Sequence, residues 1–468
     1  MRHTATCLTL LLTLPCLQPH ARGQVFDERY TDWPEQTFIS GTVVVAPSLD
    51  NPSLLKDVLP KSTADKKAAL VTNSDVPAGW IEDVKSLFED EQLSVHSKVS
   101  FAEMPSLLKD ALTDVDVLIL QAEATAGNVT AKLREELKQL LKRGGVLVLV
   151  GPGVVLAGSQ QTAMQLIPGA VMQLNGDAAQ GDHTKLGAAV ESQPRTFGIS
   201  LSEDSVLVLK RRIFRVLGDG SATFMVPKGD WLPERIQVLK QRSSRRQDPN
   251  KYLVDLIEWR REAIERTLEQ FPPENPPMPR VENGTLVIVG GGGMPDGLMQ
   301  RFVDLSGGND DARLVYIPCA EETKVSAKQR MVAAWKNMGV QHATFLHTKD
   351  RHKANTDDEF LKPLVNATGI WFGGGRQWNM ADSYYGTKAH KLMKEVLQRG
   401  GVIGGSSAGA SIQARYLARA TPIQNFRIMA PGYERGGLGF IGGVAIDQHF
   451  SQRGRQKDMS RLVAKYPQ

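Results

Sequence analysis

The chain has 468 residues, room for two domains and a connector, and its 41% hydrophobic and 23% charged content is ordinary for a globular protein. Its 56 Lys and Arg against 51 Asp and Glu leave a formal charge of +5, too small and too dispersed to point to a nucleic-acid partner. No apolar run reaches the roughly 20 residues that a spanning helix needs, which argues against a membrane span.

The first elements in chain order read as a targeting segment. Met1-Arg2-His3 is a short basic start, residues 7–17 are apolar, and Ala21-Arg22-Gly23 sets small residues at the −3 and −1 positions of a cleavage site. That layout predicts a secretory signal peptide over residues 1–23 and an exported (periplasmic or extracellular) protein. Cys7 and Cys16 would leave with it, and the remaining Cys319 can form neither an internal disulfide nor a cysteine metal cluster.

Residues 41–45, 67–72 and 117–120 are short apolar runs that predict buried strands. Leu133, Leu137, Leu140 and Leu141 fall on one helical face, Arg143-Gly144-Gly145 ends that helix, and 146–150 is the next strand. The series then returns. Strands are expected at 284–289, 312–317 and 369–372, and a helix carries Leu392, Met393, Val396 and Leu397 on one face. Arg399-Gly400-Gly401 closes that helix and 402–404 is the strand after it. Five matched elements in the same order predict an internal duplication. Strands alternating with helices predict an α/β fold, a mostly parallel sheet with helices on both faces, present twice. Sites in such folds lie at the carboxyl ends of the strands. The expected units are 41–227 and 284–468. Between them, 228–283 reads as a connector with a basic turn at Ser243-Ser244-Arg245-Arg246, a heavily charged helix at 251–270 and a proline-rich spacer at 271–277.

Only the second copy carries chemistry. Strand 402–404 runs into Gly405-Ser406-Ser407-Ala408-Gly409, with 410–417 expected to be helical. The small residues suit a sharp strand-to-helix turn that exposes the Ser407 hydroxyl and aims backbone N–H groups at a reacting carbonyl. Laying the two Arg-Gly-Gly endings on each other puts Gly151 opposite Ser407 and Asn175 opposite His449. Gly373-Gly374-Gly375 has no glycine counterpart after Leu120, so the first copy is expected to be degenerate and non-catalytic. His342, His347 and His352 are irregularly spaced with no cysteine nearby and read as loop histidines rather than metal ligands.

Residues 284–468 resemble the cyanophycinase and aspartyl dipeptidase family of serine peptidases. The resemblance rests on Gly290 to Gly293, on Gly374-Gly375-Arg376-Gln377, on residues 405–410 (Gly-Ser-Ser-Ala-Gly-Ala) and on residues 447–455, which begin Asp447-Gln448-His449-Phe450. It implies a fold similar to class I glutamine amidotransferases, with serine in place of their cysteine. It implies Ser407 as nucleophile, His449 as general base, and the N–H groups of Gly375 and Ala408 as the oxyanion hole. By the same resemblance Gln377, Asp447, Gln448, Arg453 and Arg455 line a pocket for a β-linked aspartate, a peptide is the substrate, and no metal or cofactor is needed. Arg376 stands where cyanophycinases commonly have aspartate. In the family the acid that orients the histidine follows it, in a segment that the first copy keeps as 197–203, ending in Glu203. At the spacing of Glu203 from Asn175 the second copy's acid would fall at about position 477, past Gln468, so the sequence reads as stopping in mid-domain. A binding or scaffold protein that keeps the carboxylate pocket without turnover stays open, as does a pseudo-dimer of the two copies or a homodimer. An α/β-hydrolase esterase would share the 405–409 pattern, but that fold normally places an acid between its serine and a final histidine.

Overall fold

The computed structural model describes residues 39–465 apart from 49–51, 60–66, 74, 89–91, 111–112, 124–128, 160–162, 175–182, 243–251, 272, 276–277, 282, 322–324, 327–328, 422–427 and 431. The expected signal peptide, Asn175 and the basic turn at 243–246 lie outside the described residues.

Strands β1 (Ile39–Ala46), β2 (Ala68–Thr72), β3 (Leu93–His96), β4 (Val117–Gln121) and β5 (Val146–Val150) lie parallel in the order β1-β5-β4-β2-β3. The central strands are buried along their whole length, as expected where helices cover both faces of a sheet. One covering helix, Ala131–Lys142, begins where the Thr130 hydroxyl accepts the Leu133 N–H and buries Leu133, Leu137, Leu140 and Leu141.

Strands β6 (Ala170–Leu174), β7 (Phe197–Leu201), β8 (Val206–Arg211), β9 (Ile213–Leu217), β10 (Ser221–Val226), β11 (Arg235–Lys240) and β12 (Val254–Asp255) follow. β8 pairs antiparallel with the free side of β1, and β9 and β12 extend it into an eight-stranded sheet. A second sheet has the order β11-β10-β7-β6. Much of the segment read as a connector is thus built into the first unit: β11 completes the second sheet and β12 pairs with β9.

The charged helix of that segment spans Leu256–Glu265, not 251–270, and it is buried. The Asp255 carboxylate caps it by accepting the Glu258 N–H at 2.9 Å. Trp259, 1% exposed, joins the first unit's core, while Ile264 and Leu268 belong to the second unit's core. Its charges are tolerated there because Glu258 and Glu262 meet Arg235 and because Arg261 meets Asp382. Charge count on a helix cannot reveal this, because the partners come from other elements.

The second unit repeats the first. β13 (Thr285–Val289), β14 (Arg313–Ile317), β15 (His342–Phe345), β16 (Gly369–Phe372) and β17 (Val402–Ser406) are parallel in the order β13-β17-β16-β14-β15. That is the order of β1 to β5, and the register also matches, with Thr42 opposite Val146 and Thr285 opposite Val402. The Thr42 N–H donates to the Gly145 carbonyl at 3.0 Å and the Thr285 N–H to the Gly401 carbonyl at 3.1 Å. A Cβ on Gly41 would lie 2.3 Å from the Gly145 oxygen, and one on Gly284 would lie 2.6 Å from that of Gly401. The recurring Gly-Thr and Arg-Gly-Gly segments are therefore two sides of one close backbone approach. The parallel α/β cores are as the sequence implied, and the repeat extends to strand order and register. Beyond those cores the units diverge: β18 (Ala414–Tyr416) and β19 (Ile441–Ala445) pair only with each other. Among the described residues no helix is long and apolar enough to cross a membrane.

Candidate active site

β17 ends at Ser406, and Ser407 turns the chain with φ +55° and ψ −116° into the four-residue helix Ala408–Ser411. A positive φ on a residue with a Cβ costs on the order of 1 kcal/mol, so the surroundings must impose it. The Ser407 N–H donates to the Val289 carbonyl at 2.9 Å, tying the turn to β13. A Cβ on Gly405 would stand 2.3 Å from the Gly409 oxygen, and one on Gly409 would stand 2.1 Å from that of Phe372. Both glycines are thus required by the tightness of the turn. The helix expected over 410–417 is not formed. After Ser411 the chain becomes β18, because the Ile412 and Gln413 carbonyls accept the Leu438 and Phe440 N–H groups and draw the segment towards β19.

His449 comes from the segment after β19 and also has positive φ, +52°. Its N–H donates to the Gly290 carbonyl at 2.8 Å, and its Nε2 lies 2.9 Å from the Ser407 Oγ. Gly291 has φ +135°, and a Cβ there would sit 2.4 Å from the imidazole, so the loop after β13 packs flat against the ring. The Gln452 side chain donates to the Gly291 carbonyl at 3.0 Å and clamps that loop. Half-burial, with the charges of Arg453 and then Arg455, holds the His449 ring below the usual imidazole value. The neutral form able to accept the serine proton is thereby favoured. Among the described residues no carboxylate is hydrogen-bonded to the His449 ring.

The two residues expected to form an oxyanion hole, Ala408 and Gly375, lie near the hydroxyl. Ala408 is the first residue of its helix, so its N–H has no acceptor within the helix. A Cβ on Gly374 would lie 3.5 Å from the Ser407 Cβ, so this turn passes directly beside the serine. Gly375 has φ +134°, and a Cβ there would lie 2.4 Å from the Ala320 oxygen, which accepts the Arg376 N–H at 2.8 Å and the Asn379 side-chain amide at 3.2 Å.

The polar residues assigned by resemblance divide into two groups. Gln377 is buried and donates to the carbonyls of Ala418 and Arg419 at 2.7 and 3.0 Å. Asp447 accepts from both Nε and Nη2 of Arg419, at 2.7 and 2.9 Å, and from Arg455 at 3.0 Å. Arg455 also donates to the Gln448 carbonyl at 2.5 Å, and Gln448 itself is buried. Gln377 and Asp447 therefore fix neighbouring chain, and Asp447 can serve a substrate carboxylate only through the arginines that it holds. Arg453 is exposed one helical turn after His449. Arg419, Asn379 and Gln452 were missed in the sequence. Arg419 carries no motif, and its value lies in a fork to Asp447, 28 positions further along the chain.

A parallel α/β sheet that presents a serine–histidine pair from a strained strand-to-helix turn is the arrangement used by nucleophilic hydrolases. Residues 286–468 match the model of peptidase family S51. The cyanophycinase of Geminocystis herdmanii (strain PCC 6308) is 27% identical over 177 residues, 36% of this chain and 62% of that protein. The cyanophycinase of Trichormus variabilis (strain ATCC 29413 / PCC 7937) is 24% identical over 166 residues, 34% of this chain and 54% of that protein. The chain thus spans about half to three-fifths of these relatives' length. Among solved structures, a peptidase from an acI-B1 actinobacterium is 27% identical with a TM-score of 0.24, over 29% of this chain and 59% of that one. A putative peptidase E protein from Listeria monocytogenes EGD-e is 9% identical with a TM-score of 0.28, over 38% of this chain and 98% of that one.

Proposed function

We propose that the chain is an exported serine peptidase that hydrolyses aspartyl or β-aspartyl peptide bonds, of the kind found in cyanophycin, through an acyl-enzyme on Ser407. The observation that carries this reading is the contact of 2.9 Å between the Ser407 Oγ and the His449 Nε2 at a turn strained to expose the hydroxyl. His449 takes the Ser407 proton as Oγ attacks the carbonyl carbon. The Gly375 and Ala408 N–H groups stabilise the oxyanion, and the protonated imidazole passes its proton to the leaving amine. Water then repeats the sequence and releases the acid. Arg453 and Arg455 supply positive charge for the free carboxylate of the aspartyl residue.

In this reading residues 41–227 are a non-catalytic unit, 284–468 carry the site, and residues 1–23 direct export. The relatives that are named cyanophycinases support the substrate class. The test is hydrolysis of β-aspartyl-arginine and of cyanophycin, with fluorophosphonate labelling of Ser407. Release of arginine and labelling, both lost in Ser407→Ala, are expected. Tight binding of the dipeptide without turnover or labelling would instead make the chain a binding protein, the reading favoured by the His449 ring having no carboxylate partner among the described residues.

A further inference from the structure

Arg212 sits in the turn between β8 and β9, in the first unit, yet its guanidinium is shared with the second. On its own side it makes a two-point pair with Asp255, both contacts at 2.7 Å. Across the boundary Nη1 donates to Asp382 at 2.5 Å and Nη2 to the Tyr433 hydroxyl at 2.5 Å. The group also lies 5.3 Å from the centre of the Trp378 ring. Asp382 is 1% exposed and holds a second cation, Arg261 of the helix Leu256–Glu265, at 2.5 Å. Burial alone would push the Asp382 carboxyl up, but Arg261 and Arg212 outweigh it and keep the carboxyl below its ordinary value.

Trp378 and Asp382 belong to the helix Gln377–Tyr384, which starts immediately after the glycine turn beside Ser407. Asn379, on the same helix, donates to the Ala320 carbonyl that also accepts the Arg376 N–H and leaves no room for a Cβ on Gly375. Turn, carbonyl and helix therefore move as one piece. The piece is held at one end by β16 and along the helix by arginines that come from outside the second unit.

We propose that Arg212 is a positioning residue for the 373–375 turn, setting through Asp382 where the turn's N–H groups stand relative to Ser407. The inference rests on the serine-peptidase reading of the site. It gives the first unit a task without any chemistry of its own: it is the fixed body against which the oxyanion turn is aligned. Misplacing a catalytic group by about 1 Å can cost on the order of 100-fold in rate, so a distant fork suffices to matter.

The test uses the full chain and two mild variants. Arg212→Lys keeps the charge and loses the fork, while Asp382→Asn keeps the shape and loses the charge. Hydrogen exchange is read at the Arg376 amide, with β4 amides as the internal reference, beside fluorophosphonate labelling and steady-state rates on β-aspartyl-arginine. The expected result is Arg376 exchange faster by on the order of 10-fold in both variants with β4 unchanged. Labelling and kcat should fall roughly 10- to 100-fold while KM stays within about twofold. Should Asp382→Asn fail to fold, Arg212→Lys decides alone, since it leaves no buried charge without a counterion. Wild-type exchange at Arg376, or a loosened turn with unchanged kcat and labelling, would overturn the proposal. Faster exchange in a protein whose wild type neither hydrolyses nor labels would defeat the peptidase reading and leave the alignment of the turn by Arg212 standing.

Discussion

The two parallel sheets use one plan and finish it differently. β1 and β13 occupy the same place, make the same first hydrogen bond and pair in the same register with β5 and β17. The chain then leaves β5 and β17 at equivalent residues: the Gly151 N–H donates to the Ala46 carbonyl at 3.0 Å and the Ser407 N–H to the Val289 carbonyl at 2.9 Å. The outer sides of β1 and β13 diverge. β8 pairs with β1, and Val43 and Val45, packed in the first unit's core, are 0 and 1% exposed, whereas Ile288 on β13 is 43% exposed. The difference teaches that apolar strands and glycine contacts set the architecture, while one side chain at one turn separates a unit with serine beside a histidine from one with glycine at the same place.

The sharpest way to break the comparison is to erase that side chain. Ser407→Ala should abolish fluorophosphonate labelling and lower turnover on the order of 10⁶-fold, with an unchanged folded signal by circular dichroism. Residual labelling in this variant would place the nucleophile elsewhere. A second test acts on the histidine without touching it. Gly291→Ala puts a methyl 2.4 Å from the imidazole at a φ of +135°, so kcat should fall on the order of 100-fold or more, since the ring must leave Ser407. Retained kcat would mean that the ring tolerates another position.

The third prediction uses the outer strand sides. Val45→Ala should cost about 2 kcal/mol in denaturant unfolding, as a cavity in a closed core, and Ile288→Ala under about 1 kcal/mol. Equal costs would show that Ile288 is covered in solution. The smallest effect is a titration. His449 must be neutral to act as base, and its value lies below the ordinary imidazole value through partial burial, Arg453 and Arg455. Activity should therefore persist as pH falls to the usual imidazole value of about 6.5 and be lost only below it. Arg453→Gln should move that acid limb upward. A downward shift would contradict the assigned cause.

The repeat was legible because parallel strands buried on both faces are plain apolar runs and because Arg-Gly-Gly marks where a helix must stop against a neighbouring backbone. Ser407 was legible for a related reason: a Cβ on Gly405 or Gly409 would fall as close as 2.1 Å to a backbone oxygen, and glycine at such places is visible in one sequence. What escaped was pairing over distance. The helix Leu256–Glu265 reads from its sequence as part of a charged connector, and nothing local announces that Arg261 and Arg212 meet at Asp382, the latter across 170 positions. The same holds for Arg419, whose fork fixes Asp447. The strand β18 was misread as helix because its direction is decided by carbonyls that meet Leu438 and Phe440, not by its own residues.

The backbone at Ser407 favours glycine on conformational grounds, and at the equivalent place the first unit has Gly151, at φ +88°. Serine is thus the worse conformational choice for its own position. Selection for stability alone would drift residue 407 to glycine, and the proposed use of the hydroxyl is what would oppose that drift. Residue identity at this turn then becomes a record of use: across chains of this kind, glycine there would mark a unit released from chemistry, and serine one still held to it.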